Sequence, residues 1–182
     1  SHILYGIDDG SKTKERSIEL LKSLEKENVT DLVLTPHYII GTNYNSNNSQ
    51  KRELINSLRK STKINLYLGN EVYIDNKILE YIKNDEISTI NNSKYLLIEF
   101  PLNEKLDCMF DIVYDLLGKG IIPIIAHPER YRYLKLSDLI SLIESGCLFQ
   151  GNITSLNGKY GKEVKKNLEL LLSKNMIHLI GT

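Results

Sequence analysis

Short apolar runs alternate with helix-period segments along this whole 182-residue chain, which limits its possible folds more than any other feature. Strands are predicted at 31–35, 64–68, 95–100, 121–126, 147–150 and 176–180. Helices are predicted between them, at 13–28, 50–61, 77–84, 105–119, 137–145 and 161–175. This alternation predicts a mostly parallel sheet, either open and doubly wound or closed into a barrel. We expect an α/β fold in a single domain spanning residues 1–182.

Composition removes several classes of function. The 23 basic and 23 acidic residues balance, which argues against broad nucleic-acid binding. No apolar run reaches the roughly 18–20 residues of a membrane span, so we expect no direct membrane insertion. The two cysteines, Cys108 and Cys147, predict reduced, buried thiols and a cytoplasmic protein.

Four polar side chains interrupt the apolar pattern where strands end. His37 and Glu71 follow two predicted strands, Glu99 ends a third, and His127 ends a fourth. Carboxyl ends of parallel strands converge on one edge, so these groups are expected to share a centre. Taken singly, each has a structural interpretation, as a hydrogen-bonded histidine or a buried ion-pair partner.

Two imidazoles and two carboxylates in one place suit a divalent metal site. His2, Asp8 and Asp9 form a second acid–imidazole cluster near the start of the chain. Alternatively, Asp8 and Asp9 make a turn before Gly10 and cap the next helix.

Arg130 is the first candidate for holding an anionic group, because guanidinium matches phosphate in a bidentate fork. Its alternative is a surface ion pair with Glu129 or a neighbour. Arg132 is a weaker second candidate. His178 lies within the last predicted strand and is interpreted as structural.

Covalent phosphatase mechanisms do not match the sequence. A cysteine phosphatase needs Arg six positions after its Cys, but Tyr114 and Ile153 stand at that spacing from the two cysteines. A Gly-x-Ser-x-Gly nucleophile elbow is also absent. The remaining mechanism is attack by a metal-activated hydroxide without a covalent intermediate.

At these residues the chain resembles the polymerase and histidinol phosphatase (PHP) superfamily. Within it, the chain is similar to the bacterial tyrosine-protein phosphatases of capsule and exopolysaccharide synthesis. The matching runs are His2-Ile3-Leu4, Gly6-Ile7-Asp8-Asp9-Gly10, Thr35-Pro36-His37, Gly69-Asn70-Glu71-Val72, Leu97-Ile98-Glu99-Phe100-Pro101 and Ala126-His127-Pro128-Glu129-Arg130.

The resemblance implies a distorted barrel of about seven strands and a cluster of three metals. Manganese is the implied metal, with iron or zinc as alternatives. His2 would be the second histidine of a His-x-His motif, and Asp9 and His37 would serve one metal. Glu71 would bridge two metals, and Glu99 and His127 would complete the second.

The resemblance also implies a substrate. Arg130 would hold the phosphate of a phosphotyrosine on the tail of a partner tyrosine kinase that controls polysaccharide export. Small-molecule phosphatases such as histidinol phosphatase remain an alternative, and a catalytically poor scaffold that binds the kinase tail is another. A nuclease ranks lower, because no basic track is evident.

The family pattern extends beyond both ends of the chain. Its first strand, with the first histidine of His-x-His, would precede Ser1, and its closing Asp-x-His would follow Thr182. We expect that both ends have been removed. If the molecule ends here, weak metal binding and little activity are expected, because two metals would each lose ligands.

Overall fold

The computed structural model describes residues 1–181 and confirms the alternation of strands and helices. The strands are β1 (Asp31–Leu34), β2 (His37–Tyr38), β3 (Asn65–Leu68), β4 (Glu71–Tyr73), β5 (Tyr95–Glu99), β6 (Ile122–Ala126), β7 (Leu148–Asn152) and β8 (Leu179–Gly181). The helices are α1 (Lys14–Lys26), α2 (Asn48–Arg59), α3 (Ile78–Lys83), α4 (Met109–Gly118), α5 (Leu136–Glu144), α6 (Ile153–Leu156) and α7 (Lys162–Ser173).

Backbone contacts divide the chain into two compact units, which are described separately. Unit 1 comprises Ser1–Tyr73 and Lys77–Leu96, and unit 2 comprises Ile74–Asn76 and the chain from Leu97 onward. The fold is mixed α/β with parallel strand pairs in each unit. The predicted single domain and the barrel implied by the resemblance both stay predictions.

Unit 1 is built on two parallel strand pairs. In the first, β1 pairs with β3 and Leu34 lies opposite Leu68. In the second, β2 pairs with β4 and His37 lies opposite Glu71. Apolar side chains from β1, β3, α1, α2, the N-terminal segment and the residue before β3 form one core: Ile3, Leu4, Leu21, Leu34, Ile55, Leu58, Ile64 and Leu66. The short second pair carries two predicted ligands, His37 and Glu71.

Unit 2 contains the strand order β5–β6–β7–β8. The pairs β6–β7 and β7–β8 are parallel. Helix α7 packs closely on β7 at Gly151, where an added Cβ would lie 2.8 Å from Leu168 Cδ1. A glycine at this position therefore lets the helix approach the strand.

Several boundaries differ from the predicted ones for local reasons. Helix α2 begins before residue 50, because the Asn47 side chain caps it and forms a capping box with Gln50. The Asn/Ser-rich stretch 43–49 therefore ends inside α2, where Asn48 is buried and donates to Asp85 at 2.8 Å. Helix α4 begins at Met109, later than predicted, and β8 begins at Leu179.

The predicted burial of both cysteines is half wrong. Cys147 is buried, and burial raises the pKa of its thiol to about 12. Cys108 is exposed, because it stands at the N-cap of α4 rather than inside an element. Both thiols are free. Within the described residues, no helix has the length and apolar character required to cross a membrane.

Lys51 on α2 is a charged side chain with no exposed surface. Its Nζ donates to Asn70 Oδ1 at 2.7 Å and to the carbonyl of Glu86 at 3.0 Å. Burial lowers the pKa of Lys51 to about 7 from 10.5, with Asp85 raising it and Arg52 lowering it by smaller amounts. The amine thus titrates near neutral pH in the folded protein.

Replacing Lys51 with Met should therefore change how stability depends on pH. Between pH 7 and about 10.5 the unfolded lysine keeps a proton that the folded one has lost, so wild-type stability rises with pH. The free energy of unfolding of the wild type, minus that of Lys51→Met, should rise by up to about 1.4 kcal/mol per pH unit above pH 7. Urea denaturation of both proteins from pH 6 to 9 measures it, and parallel pH profiles would contradict it.

Candidate metal centre

The predicted site residues fall into two groups, one in each unit. Unit 1 holds His2, Asp9, His37 and Glu71, while unit 2 holds Glu99, His127 and Arg130. Strand pairing and backbone hydrogen bonds position the residues within each group. The expected convergence of all of them on one centre stays a prediction.

In unit 1, three predicted ligands lie close enough together to hold a cation. One donor atom from each of His2, Asp9 and His37 lies within 4.8 Å of the others. His37 Nε2 is 3.6 Å from Asp9 Oδ1, and the rings of His2 and His37 are 4.5 Å apart between centroids. The side chain of Asp9 is exposed, so its carboxylate is open to an ion arriving from solvent.

The imidazole of His2 lies between two buried carboxylates. Its Nδ1 is 2.8 Å from Asp8 Oδ2, and its Nε2 is 3.0 Å from Glu71 Oε2. Burial alone would lower the pKa of His2, but the hydrogen bonds to Asp8 and Glu71 outweigh it and raise the pKa to about 9. A histidine must give up this proton when it binds a metal.

Asp8 combines both uses expected from the sequence. Its Oδ1 accepts from the backbone N–H of Gly10 at 2.9 Å, which makes the turn. Its Oδ2 accepts from the backbone N–H of His37 at 3.1 Å as well as meeting His2. Burial acts to raise the pKa of Asp8, but these hydrogen bonds hold it below its usual value. Asp8 thus orients two histidines.

His37 and Glu71 are neighbours because the strands that carry them pair in register. They are the first residues of β2 and β4, not the last residues of the longer strands before them. The carbonyl of Pro36 accepts from the backbone N–H of Glu71 at 3.0 Å and from Asn70 Nδ2 at 3.2 Å. Buried Asn70 therefore holds the segment before His37 beside the segment before Glu71.

In unit 2, Glu99 and His127 form a buried pair. His127 Nε2 lies 3.3 Å from Glu99 Oε1. Glu99 is the last residue of β5, and His127 follows the last residue of β6, as predicted. His127 has φ 35° and ψ 57°, a left-handed conformation that is uncommon for a residue other than glycine. Its N–H donates to the carbonyl of Gln150 at 2.7 Å, which helps hold this conformation.

Arg130 does not pair with Glu129, one of the partners that its alternative interpretation allowed. Glu129 is only 1% exposed, and its Oε1 accepts from the N–H of Asn152 at 3.0 Å and from Ser155 Oγ at 2.7 Å. The guanidinium of Arg130 instead lies over the ring of Tyr160, 4.4 Å from its centroid. Stacking of this kind leaves the edge N–H groups of a guanidinium open to an anion.

Arg132 and His178 both contact other parts of the chain. Arg132 forms an exposed ion pair with Glu163, at 3.2 Å. His178 Nδ1 accepts from the backbone N–H of Phe149 at 3.1 Å, which agrees with its structural interpretation. It lies just before β8 rather than within it.

Sequence reasoning gave buried Asn70 no role, and it considered buried Glu129 only as a partner of Arg130. Both are polar residues beside a predicted ligand, in the runs Gly69-Asn70-Glu71 and His127-Pro128-Glu129. That adjacency was the only available signal, since their partners lie far away along the chain.

The donor set in unit 1 fits a divalent transition metal. Imidazole nitrogens and carboxylate oxygens within 4.8 Å of one another are ligands that manganese, iron and zinc share. The Glu99–His127 pair in unit 2 offers the same two donor types at 3.3 Å. The chemistry of these donors therefore suits the divalent metal ions that the resemblance implies.

The chain is similar along its whole length to known proteins. A family described as "Capsular polysaccharide synthesis, CpsB/CapC" matches residues 1–182. CapC of Staphylococcus aureus is 41% identical over 189 residues, covering 100% of this chain and 74% of CapC. The tyrosine-protein phosphatase YwqE of Bacillus subtilis is 31% identical over 188 residues, again covering 100% of this chain and 74% of YwqE.

A solved structure also aligns with the chain. It is described among the crystal structures of YwqE from Bacillus subtilis and CpsB from Streptococcus pneumoniae, metal-dependent tyrosine phosphatases. The alignment has a TM-score of 0.87 and 31% identity, and it covers 99% of this chain and 75% of the other. With the whole chain matched by the family and the fold shared, this protein belongs to the CpsB/CapC family of capsular polysaccharide synthesis.

Proposed function

We propose that this protein is a metal-dependent protein-tyrosine phosphatase. The observation that carries the proposal is the meeting of His2, Asp9 and His37 donor atoms within 4.8 Å. It is supported by relatives that are named tyrosine-protein phosphatases and by a structural relative described as metal-dependent. The substrate is phosphotyrosine on the tail of a bacterial tyrosine kinase that regulates capsule or exopolysaccharide synthesis, in keeping with the family description.

The ligand groups are those described in each unit. His2, Asp9, His37 and Glu71 serve in unit 1, and Glu99 and His127 serve in unit 2. Manganese is the proposed metal, and iron or zinc would suit the same donors. Divalent cations held by such donors lower the pKa of water and offset the negative charge of a phosphoryl group.

The chain's own residues bind and orient the substrate. In the hydrolysis, the oxygen of water bonds to phosphorus as the bond to the tyrosine oxygen breaks, giving inorganic phosphate and tyrosine. Arg130 binds the phosphate oxygens, and its stacking on Tyr160 keeps the guanidinium plane in place. Cys147 is not a nucleophile, because a buried thiol with a pKa of about 12 holds its proton at neutral pH.

Removing metal should abolish phosphotyrosine hydrolysis by the full-length protein. Chelation followed by gel filtration should lower kcat for a phosphotyrosine peptide by at least about 100-fold, since bound metals stabilise the transition state by several kcal/mol. Adding Mn²⁺ back should restore the rate.

Histidinol phosphate, assayed in parallel, provides the competing substrate. The proposal expects a higher kcat/KM for the phosphotyrosine peptide. A preference for histidinol phosphate would instead assign a small-molecule phosphatase, and an unchanged rate after chelation would exclude the metal mechanism.

Replacing Arg130 with Ala should weaken substrate binding. Loss of a charge-assisted hydrogen bond costs about 1.5–3 kcal/mol, so KM for the phosphotyrosine peptide should rise by about 10- to 100-fold. Arg132→Ala is the matched control. Arg132 lies two positions after Arg130, and the variant removes the same type of side chain from an exposed ion pair with Glu163. Steady-state kinetics on both variants measure the difference, and equal KM values for the two would remove Arg130 from the substrate site.

A further inference from the structure

In unit 2 the strand ladder stops where the predicted ligands begin. Glu99 is the last residue of β5, and β6 ends at Ala126, one residue before His127. Past the end of β6, one backbone hydrogen bond, from the His127 N–H to the carbonyl of Gln150 at 2.7 Å, still ties the chain to β7. That bond does not join the Glu99 segment to the His127 segment, so a contact between these two strand ends would help fix the 3.3 Å separation of their side chains.

The hydroxyl of Tyr131 joins the two strand ends. It accepts a hydrogen bond from the backbone N–H of Phe100 at 3.0 Å. It donates to the backbone carbonyl of Ala126 at 2.8 Å. Phe100 directly follows Glu99 and Ala126 directly precedes His127, so a single oxygen atom connects both ligand-bearing segments.

The geometry around this hydroxyl needs a tyrosine in particular. Tyr131 is 2% exposed, and Phe100 and Ala126 are fully buried, so both hydrogen bonds are shielded from bulk water. A phenolic oxygen both donates and accepts, as this position requires. The ring packs against Phe100 and His127, with centroids 5.4 Å and 5.6 Å away. These ring contacts fix the position of the Tyr131 hydroxyl between the two strand ends.

We propose that Tyr131 is a positioning residue that holds the Glu99 carboxylate and the His127 imidazole at the separation a metal ion requires. The proposal rests on the proposed function, because it takes these two side chains as metal ligands. In this role the Tyr131 hydroxyl acts through the backbone of Phe100 and Ala126, not by touching the metal or the substrate. Removing its hydroxyl alone should loosen the pair without removing a ligand.

The test is Tyr131→Phe in the full-length protein, which keeps the ring and deletes the hydroxyl. The Kd for Mn²⁺ from isothermal titration calorimetry should rise by about tenfold, the scale on which partners behind metal ligands act. The absorption bands of bound Co²⁺ should also shift, because the ligand geometry changes. A purely structural role would lower the melting temperature and leave both readouts as in the wild type.

Tyr133→Phe is the matched control. Its hydroxyl donates to the carbonyl of Pro101 at 2.6 Å, so the variant loses the same chemical group from the same turn. Its Mn²⁺ Kd should stay at the wild-type value. An equal Kd for the two phenylalanine variants, or an unchanged Kd in Tyr131→Phe, overturns the inference.

Glu99→Gln and His127→Ala separate this inference from the proposed function. Both should weaken Mn²⁺ binding more than Tyr131→Phe does. If neither changes the Kd, the ligand assignment is wrong and the role of Tyr131 falls with it. If both weaken binding and Tyr131→Phe does not, the assignment stands and only the positioning role is excluded.

Discussion

The carboxylates and imidazoles of the candidate metal centre can be buried because each meets a group of complementary charge or hydrogen-bonding capacity. Asp8 and Glu71 both contact the ring of His2, whose pKa they raise to about 9. Glu99 lies 3.3 Å from His127. A buried charge without such a partner costs several kcal/mol. A divalent cation can take over the same neutralising role, so folding of the metal-free protein and metal binding depend on one set of contacts.

Besides the Asp8 carboxylate, two neutral polar groups hold the predicted ligands in place. In unit 1, Asn70 accepts from the N–H of Ser88 at 2.9 Å and donates to Pro36, beside His37. In unit 2, the Tyr131 hydroxyl joins Phe100 to Ala126. A buried amide or hydroxyl with its hydrogen bonds made costs far less than an ion and does not compete with the ligands for the metal. Each therefore fixes backbone position without altering the charge of the site.

The sequence predicted the long elements and proposed candidate ligands because both have local signals. Strands β5 and β6 are apolar runs that end at Glu99 and before His127, and that contrast alone marked both residues. Strands β2 and β4 were missed because two or three residues cannot show a period. Lys51 gives no local signal either, since its partners, Asn70 and Glu86, lie 19 and 35 residues away along the chain. Such contacts exist only after the chain has folded.

Lys51 illustrates how a costly residue supports a site without adding to its charge. Burial removes water from the ammonium group and makes its charged form unfavourable, so the pKa of Lys51 falls to about 7. A neutral amine still has two hydrogens, enough for the bonds to Asn70 Oδ1 and to the carbonyl of Glu86. Both bonds therefore survive loss of the proton, whereas methionine would leave two buried acceptors without this donor. The support behind Asn70, and so beside Glu71, does not depend on the protonation state of Lys51 near neutral pH.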